Sequence, residues 1–129
     1  MPYYNFEDFK EACGKDFSNV LLIGFVRKDA DDQFNLASKS KLLEFINNDG
    51  LESLKFVNTK PWEKNPDRQQ EIFVDAYEFR SLTKLGYIAF MYSQKTSKWI
   101  IKSFHLSKNQ NTTMQDALAR AGVIQLGEE

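Results

Sequence analysis

Ile72-Phe73-Val74-Asp75-Ala76-Tyr77-Glu78-Phe79, Tyr87-Ile88-Ala89-Phe90-Met91-Tyr92 and Trp99-Ile100-Ile101-Lys102-Ser103-Phe104-His105-Leu106 are three runs rich in β-branched and aromatic residues, separated by polar turn residues. Runs of this composition read as strands, and short polar turns join antiparallel neighbours. The second half of the chain is therefore expected to form a three-strand antiparallel meander in sequence order. Beyond it, Thr113 and Asp116 have capping-box spacing, Met114, Ala117, Leu118 and Ala121 share one helical face, and Gly122 stops the pattern. A short C-terminal helix packed on the sheet is expected.

Working back from the meander, Lys60-Pro61-Trp62-Glu63-Lys64-Asn65-Pro66-Asp67 reads as a surface loop, because its prolines lack backbone donors. Leu54-Lys55-Phe56-Val57 before it suits a short strand. Ser38 is placed to cap a helix in which Leu42, Leu43 and Ile46 recur at helical spacing, and Asn48-Asp49-Gly50 ends it. Asp29-Ala30-Asp31-Asp32 is expected in a solvated loop, and its spacing does not match a calcium-binding loop. Val20-Leu21-Leu22-Ile23-Gly24-Phe25-Val26 is continuously apolar, as in a central strand covered on both faces. Asn5 caps a first helix through Cys13, with Phe6 and Phe9 on its buried side and Gly14 available to end it. The class this order implies is α+β: residues 1–129 form a single domain, with N-terminal helices and one C-terminal helix packed on a small antiparallel sheet.

A chain of 129 residues with eleven Phe, five Tyr and two Trp has enough apolar surface for a real, largely aromatic core. Cys13 has no second thiol to pair with, which excludes an internal disulfide and a cysteine-based zinc cluster and suits a reducing compartment. The N-terminus has no basic start followed by an apolar stretch, and no apolar run approaches a membrane span. A cytoplasmic protein without membrane contact is expected.

Net charge is −1, so any binding of nucleic acid has to come from uneven placement of charge. The placement is uneven: carboxylates concentrate in residues 27–78, whereas Arg80, Lys84, Lys95, Lys98, Lys102 and Lys108 occupy a segment with no Asp or Glu. These cations either protect exposed hairpin edges from pairing or form an anion-binding face.

Glycine-rich phosphate loops, histidine pairs for a metal and glycine-flanked serine nucleophiles are all absent from the sequence. No cofactor is implied. Glu71 and Asp75 lie four apart and would share one side of a strand, but a strand that begins at a loop commonly exposes such residues, so they are expected in solvent and not as a catalytic carboxylate pair. His105 is the one side chain of a type that exchanges protons near neutrality, which makes it the candidate acid or base.

Tyr77-Glu78-Phe79-Arg80, then Gly86-Tyr87 with Phe90-Met91-Tyr92, then Ile100-Ile101-Lys102-Ser103-Phe104 followed by Lys108 and a helix containing Ala117 and Arg120, follow one another over roughly residues 71–121. In this order they resemble the RelE superfamily of small bacterial ribonuclease toxins, including its HigB-like branch. The family's arginine after the glycine-tyrosine pair is Ile88 here, and its pair of basic residues after the third strand is Lys108 with His105. The resemblance implies a toxin of a toxin-antitoxin pair that cleaves ribosome-bound mRNA without metal, by attack of a 2′-hydroxyl on the neighbouring phosphate. On that reading Arg80 and Lys108 bind phosphate, His105 or Tyr92 moves protons, Lys84 and Lys102 lie along the RNA backbone, and a cognate antitoxin is the protein partner. The alternative is a non-enzymatic inhibitor or immunity protein, whose carboxylates in residues 27–78 would face a basic toxin or nuclease.

Overall fold

The computed structural model describes residues 1–65, 71–81 and 83–107. Lys108 and the helix expected from Thr113 lie outside the described residues. The three runs become β3 (Phe73–Ser81), β4 (Lys84–Ser93) and β5 (Lys98–Leu106), paired antiparallel in sequence order. They are the interior of a five-stranded sheet of order β1-β5-β4-β3-β2, in which β2 (Glu52–Pro61) is antiparallel to β3 and β1 (Val20–Leu22) is parallel to β5. Three helices precede the strands β2 to β5: α1 (Phe6–Lys15), α2 (Val26–Phe34) and α3 (Lys39–Asn47). The chain is α+β.

Local signals place α1 and α3. The Asn5 side chain accepts from the Glu7 and Asp8 amides, and the Ser38 hydroxyl accepts from the Lys41 amide, so both helices start where the caps predict. Phe9 and Cys13 of α1 and Leu42, Leu43 and Ile46 of α3 are buried. Helix α1 runs one residue beyond Gly14, to Lys15, and Asp16 then turns the chain by accepting from the Ser18 amide.

Four expectations are corrected. The apolar run Val20 to Val26 is not a central strand: β1 has three residues and lies at a sheet edge. Gly24, at φ +61°, turns the chain out of the sheet, and the Val26 amide closes that turn on the Ile23 carbonyl. The acidic stretch from Asp29 is not a loop but the middle of α2. Val26 and Ala30, four residues apart, share its buried face, Lys28 pairs with Asp32 on the outer face, and Asp29 complements the helix N-terminus. Lys60 and Pro61 belong to β2, paired with Val74 and Phe73, instead of opening a loop. Asp75 does not pair with Glu71 in solvent. It is 0% exposed and accepts from the Tyr3 and Tyr4 amides and the Thr59 hydroxyl, which ties the N-terminal segment to the sheet.

One face of the sheet packs against the helices. Phe90 is its centre: its ring stacks on Phe9 of α1 at 4.0 Å and parallel to Tyr77 at 5.9 Å, with Phe6 and Trp99 around it. Phe79, Ile88, Ile101 and Phe104 extend this core beneath α2 and α3. The Cys13 thiol lies in the same core, where burial pushes its pKa up to about 12, so it is no nucleophile at neutral pH. Gly86 is required by packing: a Cβ there would lie 2.2 Å from Phe79 Cζ, and Phe79 is fully buried. Gly86→Ala should therefore cost about 1–3 kcal/mol in a denaturant titration. An unchanged midpoint would mean that the Phe79 ring has room to move aside.

A bulge in β5 sets what each face displays. Ala89 pairs with Ser103 and Phe90 with Ile101, so Lys102 is an extra residue without a partner in the ladder. Ile101 and Phe104, three apart, would point to opposite faces of a regular strand, but the extra residue brings both to the helix side. The same shift sends Ser103 and His105 to the second face. Strand β2 is bulged as well, around Val57 and between Glu52 and Lys55, which suits an edge strand.

Candidate functional site

The second face carries a small apolar patch of Val74, Ala76, Ala89, Met91 and Ile100. Its two flanks rise above it. The turn from Ile23 to Val26 stands on one side and the segment Pro61 to Lys64 on the other, enclosing a cavity of about 630 Å³. Both flanks are pinned to strands: the Ile23 amide donates to the Ile101 carbonyl and the Trp62 amide to the Ile72 carbonyl. Cations on the cavity wall are Lys60, Lys64 and Lys102, all exposed, against the carboxylates of Asp29 and Glu63.

His105 lines this cavity and is half-buried. Its ring stacks on Tyr87 at 5.2 Å and 18°, the residue directly across the ladder on β4. His105 Nδ1 lies 2.8 Å from the Leu106 carbonyl oxygen. Carbonyl oxygen only accepts, so in the neutral imidazole Nδ1 carries the proton and the lone pair is left on Nε2. Nε2 has no hydrogen bond among the described residues. Burial raises the pKa of Tyr87, so its phenol stays protonated at neutral pH and can donate a hydrogen bond but not act as a base. Beyond Tyr87 the same row continues across the sheet through Glu78, which accepts from the Ser107 hydroxyl at 2.7 Å, to Lys55.

Of the residues singled out in the sequence, the fold brings His105 and Lys102 together in the cavity wall. Arg80 is exposed two positions along β3 from Glu78, on the same face but beyond the cavity lining. Tyr92 points to the opposite face, with its ring against Trp99 at 5.0 Å, so it does not share a site with His105. Lys84 is also on the helix side, where its ammonium donates to the Gln33 carbonyl at the end of α2 and lies 5.5 Å from the Phe34 ring centre. That lysine closes a helix C-terminus instead of waiting for a ligand. The residues that sequence reasoning passed over are Lys60, Trp62, Phe25 and Tyr87. A Trp between two lysines in a proline-bounded loop was the available signal, since aromatic and cationic groups interleave where nucleic acid is bound.

Among the described residues, no group of three His, Cys, Asp or Glu side chains is arranged to hold a metal ion, and no helix is long and apolar enough to cross a membrane. No protein-family model matches the chain, and neither does any curated protein or solved structure.

Proposed function

We propose that the chain is an RNA endonuclease that acts on the second face of the sheet, the toxin of a bacterial toxin-antitoxin pair. The observation that carries this reading is His105: a half-buried imidazole in a lysine-lined cavity, with Nδ1 engaged by a carbonyl and Nε2 open. Nε2 takes the proton of an RNA 2′-hydroxyl, the 2′-oxygen bonds to the adjacent phosphorus, and the bond from phosphorus to the 5′-oxygen breaks. The products are a 2′,3′-cyclic phosphate and a 5′-hydroxyl, whose proton comes from water or from the imidazolium formed in the first step. Lys102 and Lys60 supply positive charge to the phosphorane, and the Tyr87 phenol adds a neutral donor. Arg80 lies on the same face, and its role in this reading is to hold a flanking phosphate.

Expressed alone at high level, the chain should arrest bacterial growth, and the purified protein should cleave mRNA in the presence of ribosomes and a chelator. Cyclic-phosphate ends on the fragments are the signature of this chemistry. Healthy growth with abundant soluble protein, together with intact RNA in vitro, would sink the nuclease reading and leave the inhibitor or immunity reading.

A further inference from the structure

We infer that the cavity takes a single-stranded RNA whose unpaired bases stack on Phe25 and on Trp62 at its two flanks; the inference rests on the RNA reading of the same face and names its substrate class. Phe25 is 74% exposed although it is a large apolar residue next to a core helix. It stands at the tip of the Gly24 turn, where a positive φ throws the chain away from the sheet, and it lines the cavity. A Phe ring left in water at a rigid turn has no packing role, but it offers a π-face to a base.

Trp62 faces the same cavity from the other flank and is held by two backbone hydrogen bonds: its amide donates to the Ile72 carbonyl and its carbonyl accepts from the Asn65 amide. The two residues stand on opposite flanks of the cavity, with Trp62 half-buried against the apolar patch and Phe25 open to solvent, so each can serve one base as a platform. Both are positioned by hydrogen-bonded turns before any ligand arrives, which lowers the entropy lost on binding.

The cations complete the match. Lys60 and Lys64 flank Trp62 in sequence, and Lys102 is presented by the β5 bulge one residue after Ile101, whose carbonyl anchors the Phe25 turn. The cavity wall thus combines two aromatic residues with three lysines, groups that hold bases by stacking and the adjoining phosphates by charge. Asn58 lines the cavity, and its amide has no hydrogen bond among the described residues, which leaves a donor and an acceptor for a base edge. A duplex buries its base faces against one another, so only an unpaired base can enter.

The test is fluorescence anisotropy with a labelled 2′-O-methyl RNA oligomer, which binds but cannot be cut, compared with its duplex. The intact chain should prefer the single strand by at least about tenfold. Phe25→Ala and Trp62→Ala should each weaken single-strand binding about 5- to 150-fold, the range for losing one stacked base. The salt dependence should stay as in the parent chain, because the lysines remain. Phe25→Trp should restore binding. Phe25 is solvent-exposed, so its truncation leaves the fold intact even if Trp62→Ala does not fold. Equal binding of duplex and single strand, or full affinity in Phe25→Ala, overturns the base-stacking site whether or not the chain cuts RNA. Single-strand binding lost in Phe25→Ala, in a chain that cleaves nothing, keeps the base-stacking site and removes the nuclease reading. No binding of the single strand by the intact chain removes both.

Discussion

His105→Gln should slow RNA cleavage by about 10²- to 10⁴-fold, the range spanned by loss of a positioned general base. Gln is the informative replacement because its amide NH₂ can still donate to the Leu106 carbonyl in place of Nδ1, so the local backbone keeps its partner. It also retains a flat group against Tyr87, and the expected stability loss is limited to the ring stacking, about 0.5–1.5 kcal/mol. What Gln cannot do is accept and return a proton. The measurement is the initial rate of mRNA cleavage for both proteins, with a thermal melt of each alongside. A variant that cleaves at the parental rate would show that the base lies elsewhere. Tyr92 offers no substitute from its place on the opposite face.

Phe90→Ala should destabilise the fold by about 3–5 kcal/mol, the usual cost of emptying a fully buried aromatic site. Phe90 is 0% exposed and touches the sheet and α1 at once, through parallel rings at Tyr77 and Phe9. Its removal therefore opens a cavity at the junction of both layers, walled by other rings whose stacking prevents collapse into the gap. Midpoints in a urea titration, read by far-ultraviolet circular dichroism, check the figure. Val57→Ala provides the contrast: it sits in a bulge of the edge strand, 42% exposed, and should change stability by less than about 1 kcal/mol. A loss below about 1 kcal/mol at Phe90 would mean that the aromatic layer repacks freely and is not the rigid joint between helices and sheet.

The candidate site was only partly legible in advance. His105 stood out because imidazole is chemically distinctive wherever it lies, and Lys102 because it belongs to a carboxylate-free stretch. Tyr92 and Lys84 are near them in sequence and alike in type, yet alternation along β4 sends both to the helix side. In the sequence Phe25 is one more apolar residue of a strand-like run, and Trp62 one more residue between prolines. Neither pattern specifies the turn at Gly24, whose positive φ is a property of the folded backbone.

The difference between the two kinds of information is one of range. Caps, stop signals and apolar period act over a few residues, so Asn5 and Ser38 announce α1 and α3, and the strand-forming runs announce β3 to β5 wherever they end up in space. Edge or centre, parallel or antiparallel, and which face a side chain occupies depend on partners far along the chain. β1 becomes an edge strand because it finds β5, roughly eighty residues later, with α2 packing its Val26 and Ala30 into the core just after the turn. The parity of β5 changes at Lys102 because Ile101 and Phe104 must both reach the same aromatic core, and no neighbour of Lys102 in sequence specifies that. That single long-range demand also turns His105 toward the cavity, so the core's packing requirement places the residue on which the proposed chemistry depends.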